Sequence, residues 1–438
     1  MERTPTPQDE AAFARWLNET EPPRIAEFLN RCTPEERLSA FCSMPKEKID
    51  AVMALLEPVN QGDLLMALEP ETRRTLFEEM EPDDRARLLT CLTQAEANQL
   101  LDLLSKRERG LTESLLAYAP CTAGRIMTPE FVHLGPEMSV LEALDAIRTG
   151  NESAETVYLM PVTDEEMRLL GTVDLAAIVL APGDWKIAHL MSSDVPAVAA
   201  SDDQEKVARL MKTADLMVVP VVEEENRLVG LITFDDAMEV LEEEETEDFA
   251  RAGGAEPLDR PYLSVPIPRL VLSRIVWLSV LAVAATLTVN VLNAFEETLD
   301  NVVSLTLFIP LLIGIGGNTG AQSATTIVRA LAVEDVRPGD ALRVASRETG
   351  TGLLMGALIA VVAFGVVALS MDQDIALIVA ATLVAICTLA ALVGSLMPIA
   401  AHSFSIDPAV VSAPFVTVIV DASGLLVYFT IAQAVLGI

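Results

Sequence analysis

The 438-residue sequence predicts a multidomain membrane protein: an α-helical solenoid, an α/β tandem repeat and an acidic connecting helix, then a transmembrane domain of five helices. Three observations carry that prediction. Charge and hydropathy are segregated along the chain, two internal repeats of different period occupy its first part, and five long apolar stretches fill its last. The chain carries a formal charge of −34 although 51% of its residues are hydrophobic, and its mean hydropathy is +0.39. Strongly acidic chains are rarely net apolar, so these averages join two unlike parts. Residues 269–438 hold six bases and eleven acids, which leaves 24 bases and 53 acids, a net of −29, for residues 1–268. That division excludes a single globular domain, a disordered acidic chain and a secreted disulfide scaffold.

Charge and cysteine usage narrow the function classes. A surface at −29 repels phosphate, and no basic stripe or interleaved aromatics appear, so no nucleic-acid partner is expected. Such a surface invites cations, although solubility is the commoner meaning of acidity. The five cysteines form no C-x-x-C pair and the three histidines are scattered, which fits neither a zinc cluster nor a disulfide framework. The start, MERTPTPQDEAAF, lacks the basic and apolar regions of a signal peptide.

Residues 1–120 read as the solenoid. Prolines recur at 34, 45, 58, 70 and 82, each opening a short segment such as TPEERLSAFC or EPDDRARLLTCL. Proline suits the first helical turn and acids there suit the helix dipole, so a period of about 12 residues predicts stacked short helices. Residues 121–241 hold a second repeat. One copy runs RIMTPEFVHLGPEMSVLEALDAIR and VYLMPVTDEEMRLLGTVDLAAIV; the other runs HLMSSDVPAVAASDDQEKVARLMK and LMVVPVVEEENRLVGLITFDDAMEVL. Each predicts strand, amphipathic helix, strand, acidic turn, strand and closing helix. The pattern resembles a tandem CBS pair. Its signature G-x-[IV]-[ST]-x-x-D is complete as Gly230, Ile232, Thr233 and Asp236, and broken in the first copy after Gly171. The resemblance implies an adenine nucleotide, ATP or another, held through Thr233 and Asp236; a dimerising sensor without nucleotide is the equal alternative.

Residues 242–268 are the acidic connecting helix and linker, and residues 269–438 hold the spans. Candidate spans are 271–293, 302–328, 350–370, 375–400 and 409–436, each near the roughly 20 apolar residues that cross a bilayer. The six bases lie before the first span, at its very start (Arg274) or between the second and third, whereas Glu296, Glu297, Asp300, Asp372 and Asp374 occupy the alternate loops. The positive-inside rule then predicts a multi-pass protein of the cell (inner) membrane, with a cytoplasmic N-terminus and an external C-terminus.

Two features of the spans point to chemistry. The second, FIPLLIGIGGNTGAQSATTIVRALA, mixes Pro310 and Gly314, Gly316, Gly317 and Gly320 with Asn318, Thr319, Gln322, Ser323, Thr325 and Thr326. Small residues permit tight helix packing, while polar groups at membrane depth need a partner or a hydrated cavity. The fifth holds one ionisable residue, Asp421, with no Lys or Arg in the last three predicted spans to pair with it. A carboxylate there costs roughly 2.5–3.5 kcal/mol on insertion scales. Protonation, a cation or pore water are its options, and cation coordination is the reading taken.

GIGGNTGAQSATTIVRALA, the DPAVVSAP stretch from Asp407 and VIVDASGLLVYF together resemble the MgtE family of magnesium channels and transporters. The resemblance covers nearly the whole chain. It implies a homodimer in membrane lipid whose second and fifth spans line a pore, with Asp421 from both subunits on a hydrated Mg²⁺ and Asp407 and Asn318 as further pore ligands. It also implies that the acidic helix FDDAMEVLEEEETEDFARAGG plugs the pore while regulatory Mg²⁺ ions bind Asp83, Asp203, Glu205, Asp215, Asp236, Glu239, Glu244, Glu247 and Asp248. Where that pattern has another acid one turn beyond Asp83, this chain has Arg87. The expected function is Mg²⁺ influx gated by cytosolic Mg²⁺. A proton- or sodium-coupled transporter and a non-conducting nucleotide receptor are the alternatives. No nucleophile–base pair or Walker loop suggests an enzyme.

Overall fold

The structure, a computed structural model, describes residues 10–150, 154–258, 262, 265–333, 335–404, 407–408 and 413–437. Positions 409–412, the start of the fifth predicted span, and the first nine residues lie outside the described residues. Two units emerge. The first runs through Glu244; the second takes Glu245–Leu258 together with the chain from Pro266 onward.

Among the described residues nine short helices open the first unit: α1 (Glu10–Glu19), α2 (Pro22–Arg31), α3 (Pro34–Cys42), α4 (Lys46–Ala54), α5 (Pro58–Ala67), α6 (Pro70–Glu79), α7 (Pro82–Thr90), α8 (Gln94–Leu101) and α9 (Lys106–Leu116). Pro34, Pro58, Pro70 and Pro82 stand in the first turn of their helices, whereas Pro45 is the N-cap of α4. The proline period has a second meaning that appears only in three dimensions. Three residues after each proline stands Arg37, Lys48, Gln61, Arg73 or Arg85, and each donates to the carbonyls at the end of an earlier helix. Arg37 reaches Leu29 and Cys32 at 3.0 Å, and Gln61 reaches Met53 at 2.9 Å. Arg73 binds Leu65, Met66 and Leu68 at 2.7–2.9 Å, and Arg85 binds Glu78 at 3.1 Å. Lys48 binds Leu17, Asn18 and Thr20. The last carbonyls of a helix have no partner inside it, so each repeat closes the end of another.

The tandem repeat follows with α10 (Ala123–Ile126), α11 (Val140–Gly150), β1 (Leu159–Thr163), β2 (Leu169–Asp174), α12 (Leu175–Leu180), β3 (Val198–Ala199), α13 (Gln204–Thr213), β4 (Val218–Val222), β5 (Leu228–Thr233) and α14 (Phe234–Ala252). β1–β2 and β4–β5 are antiparallel pairs whose register shifts at the same place, Val162/Thr163 and Val221/Val222. The copies are interlaced: Thr128 of the first bridges Leu231 of the second, and Ser192 of the second bridges Thr172 of the first. A side chain at Gly171 would collide with Ser192, and one at Gly230 with Met127 and Thr128. The signature glycine therefore serves this crossing in both copies. The first copy's opening strand reduces to the single parallel bridge Leu134–Val162, since proline and glycine at 135–136 end the pairing. Ala86 of α7 and Leu115 of α9 share one apolar core with Val207, Ile232 and Val240, which joins solenoid and repeat.

The membrane unit contains α15 (Ile267–Ala294), α16 (Glu296–Asn301), α17 (Ile309–Ala332), α18 (Ala341–Ser370), α19 (Gln373–Ser403) and α20 (Ala413–Leu436). Among the described residues five helices are long and apolar enough to span a membrane. The glycines do not unwind α17, which is continuous and preceded by a 3₁₀ turn. A Cβ at Gly316 would meet Ile386 at 2.5 Å, and one at Gly317 would meet Thr417 at 2.5 Å, so these residues let α17 approach α19 and α20. Helix α18 begins nine residues before its predicted start, because its first turns are polar but helix-forming; Arg343, Arg347 and Glu348 thus lie on the third spanning helix. Two polar groups within the bundle find partners on other elements: Tyr428 donates to the Leu305 carbonyl and Gln433 to Thr298, both at 2.9 Å.

The carbonyl caps make a testable contrast between adjacent arginines. Arg73→Met removes three bonds from a charged donor and should destabilise the first unit by about 2–3 kcal/mol in denaturant unfolding. Arg74→Met removes only an exposed pair with Glu78 and should cost less than about 0.5 kcal/mol. Equal effects would refute the capping role.

Candidate functional site

Two places gather the residues singled out by the sequence. The first lies where α7 meets the tandem repeat. Pro82 starts α7 after Glu81, which puts Asp83 in the first turn, and Asp83 is only 6% exposed. Asp235 and Asp236 occupy the first turn of α14, directly after β5. Glu155 arrives from the segment ahead of β1. Carboxylate oxygens of Glu81, Asp83 and Glu155 lie within 4.8 Å of one another, and so do those of Glu155, Asp235 and Asp236. Glu155 belongs to both groups. Oδ1 of Asp83 and Oε2 of Glu155 are buried without a hydrogen-bond partner.

Such a cluster cannot stay fully ionised alone. Two unit charges at this separation repel by about 3–4 kcal/mol at an effective dielectric of about 20. Burial, then Asp236 and Glu155, holds the Asp83 carboxyl well above the ordinary range. Burial and Asp236 push Glu155 to about 8, and burial with Asp84 pushes Glu81 to about 7. Burial raises Asp236 to about 6 against the opposing hydrogen bond from Thr233. The site therefore holds protons or a cation. Oxygens on opposite sides of a six-coordinate Mg²⁺ are about 4.1 Å apart, so carboxylate oxygens that all lie within 4.8 Å of one another are near enough to share a hydrated ion, or a directly bound one after a small rotation of the side chains. The two unpartnered buried oxygens are what a hard divalent cation would engage.

The other expected regulatory residues are dispersed. Asp203 caps α13 by accepting from the Lys206 amide at 3.2 Å, Glu205 pairs with Arg209, and Asp215 is exposed in the turn after α13. Glu239 pairs with Arg87, and Glu244 accepts from Gln204 at 2.9 Å. Glu247 pairs with Arg251, and Asp248 is half-buried beside it in the chain. Thr233, expected at a nucleotide, donates to Asp236.

The second place is on the spans. Asn318, Gln322, Thr325 and Thr326 form an exposed polar face of α17, opposite the packed glycine face. Asp421 is half-buried on α20, and its Oδ1 lacks a hydrogen-bond partner; a Cβ at Gly317 would stand 3.5 Å from that oxygen. Arg251 of α14 donates to Asp407 at 2.6 Å. Ser323 of α17 donates to Glu348 at 2.7 Å, a spanning-helix carboxylate that the sequence reading passed over.

Glu81, Glu155, Asp235 and Glu348 were absent from the expected site. The doublet Asp235–Asp236 and the run Glu81–Pro–Asp–Asp are visible signals, whereas nothing local marks Glu155.

The profile of the MgtE divalent cation transporters matches residues 309–431, that of the MgtE intracellular N domain 20–120, and that of the CBS domain 123–184 and 187–243. The chain is 40% identical to the magnesium transporter MgtE of Thermus thermophilus over 335 residues, covering 76% of this chain and 74% of that one. It is 32% identical to the magnesium transporter MgtE of Enterococcus faecalis, over 74% and 72% of the two chains. Among solved structures, it resembles the cytosolic domain of the Mg²⁺ channel MgtE in complex with ATP, with a TM-score of 0.50 and 36% identity over 53% of this chain and 96% of that one.

The raised carboxyls set the pH dependence of the metal-free protein. Between about pH 4, where these acids ionise in an unfolded chain, and about 8, where Glu155 ionises in the folded one, the folded state binds more protons. Its stability is therefore highest at the acid end of that window and is lost as pH rises. Thermal unfolding of the full chain in EDTA should show the midpoint of the first unit falling between pH 5 and 8.5, and Asp83→Asn should flatten the fall. A midpoint that rises with pH would contradict the cluster.

Proposed function

Because this chain belongs to the MgtE family of magnesium transporters, we propose that it carries Mg²⁺ inward as a homodimer and closes when cytosolic Mg²⁺ binds the carboxylates between solenoid and tandem repeat. The observation that carries the gating reading is Asp83, buried without a partner on Oδ1 and facing acids of the tandem repeat. A divalent cation there neutralises like charges on α7 and α14 and favours their packing. Loss of the ion restores the repulsion. A ligand moves an equilibrium only by its differential affinity, and a site assembled from two elements binds only when they are together.

The pull reaches the membrane through α14 itself. Its second half belongs with the spans, where Arg251 binds Asp407 and Arg329 lies 4.0 Å from Glu245. In the membrane, the polar face of α17 and Asp421 of α20 from two copies surround the ion's path. Mg²⁺ sheds water reluctantly, so two carboxylates reached through waters suit it better than a dry cage. The tandem repeat also binds an adenine nucleotide on this reading, supported by the ATP complex of the similar cytosolic domain. Asp236 would then meet ribose hydroxyls rather than phosphate.

Flux into liposomes tests both parts. Asp421→Ala should lower Mg²⁺ uptake to that of empty liposomes. Asp83→Asn with Asp236→Asn should keep uptake at low internal Mg²⁺ but blunt its inhibition as internal Mg²⁺ rises. Wild-type inhibition in the double variant would reject the gating site, and uptake that requires a pH or sodium gradient would replace a channel by a coupled transporter.

A further inference from the structure

Arg87 stands one turn beyond Asp83 on α7, and its surroundings are almost entirely acidic. One guanidinium nitrogen pairs with Glu239 and another with Glu243 at 2.5 Å, carboxylates one turn apart on α14. Asp84, on its own helix, and Glu57, the N-cap of α5, are raised by burial, and Arg87 offsets part of that rise in each. Asp236 also lies within its field. Acids from α5, α7 and α14 thus converge on one positive group.

Glu239 and Glu243 at helical i, i+4 spacing repel each other, so α14 gains from any cation placed between them. A guanidinium is charged at every physiological pH, and its planar fork can hold two carboxylates at once. Unlike an ion, it cannot leave when the cytosol is depleted. Arg87 is one-third exposed, so it sits at the rim of the boundary, beside the buried Asp83 cluster but distinct from it.

We propose that Arg87 is a resident cation of this boundary, neutralising the Glu239–Glu243 side of α14 permanently while the Asp83 side takes an exchangeable divalent ion. Glu239 is then a partner of Arg87 and not an ion ligand. The packing of α7 on α14 keeps part of its stability without Mg²⁺, so fewer ions are needed to complete it and the response to Mg²⁺ is shallower. This inference rests on the gating reading for its consequence in transport, but the role of Arg87 in the packing can be measured separately.

Hydrogen exchange of the full chain in detergent, in EDTA and in excess Mg²⁺, makes the test. In EDTA, Arg87→Gln should speed exchange of the α7 and early α14 amides about tenfold, leave β1 and β2 unchanged as a folding control, and return toward wild type in Mg²⁺. Arg87→Asp should make that protection wholly dependent on Mg²⁺, with a steeper rise. Glu239→Gln combined with Glu243→Gln should add little to Arg87→Gln, because the three act together. Wild-type exchange of Arg87→Gln in EDTA, or full additivity of the charge removals, would overturn the proposal. If wild-type flux ignores internal Mg²⁺ the gating reading fails, while the comparison in EDTA still decides what Arg87 does.

Discussion

Like charges buried between two packed helices must be neutralised, and the first unit is organised around that constraint. α7 and α14 bring carboxylates together from elements far apart in the chain. Protons can hold the Glu81–Asp83–Glu155–Asp236 cluster, as its raised pKa values indicate, and a divalent cation, the occupant proposed above, would answer several acids at once. The solenoid makes this placement rigid. Arg85, fully buried two residues before Arg87, caps the end of α6 and pairs with Glu108 at 2.5 Å, which fixes α7 against its neighbours. Small changes of charge can then act on whole elements instead of on loose side chains.

The spans divide their labour along the two faces of α17. Glycines on one face remove Cβ atoms where α19 and α20 come closest, so close packing replaces the hydrophobic drive that lipid removes. The opposite face keeps amides and hydroxyls exposed in the single chain. A lone chain in hydrocarbon has no good use for such a stripe. On the proposed reading a second copy and a hydrated path would supply one, and Asp421 with its unpartnered oxygen stands close to Gly317 of the same helix.

Much of this architecture was legible because its signals are local. The proline period marked helix starts, the matching strands around Gly171 and Gly230 marked the tandem repeat, and the apolar runs marked the spans. Helix α14 extends unbroken from Phe234 to Ala252, joining what the sequence reading divided at residue 241, since no proline or glycine interrupts it. The reach from Pro+3 side chains to another helix's carbonyls could not be read, because it depends on how helices stack. Asp83 and Asp236 could be named from the family resemblance. Glu155 could not, since it joins them only through the interlaced crossing of the two copies. The bond from Arg251 to Asp407 could not be read either, because it joins residues 156 positions apart in the chain.

The central claim is that a divalent cation bridges α7 and the tandem repeat at Asp83. Crystals of the full chain grown with Mn²⁺, which accepts the same oxygen ligands as Mg²⁺, would test it by anomalous scattering. A peak among Asp83, Glu155 and Asp236, with none between Glu239 and Glu243, is the predicted result. Packed helices with no metal at Asp83 under saturating Mn²⁺ would contradict it.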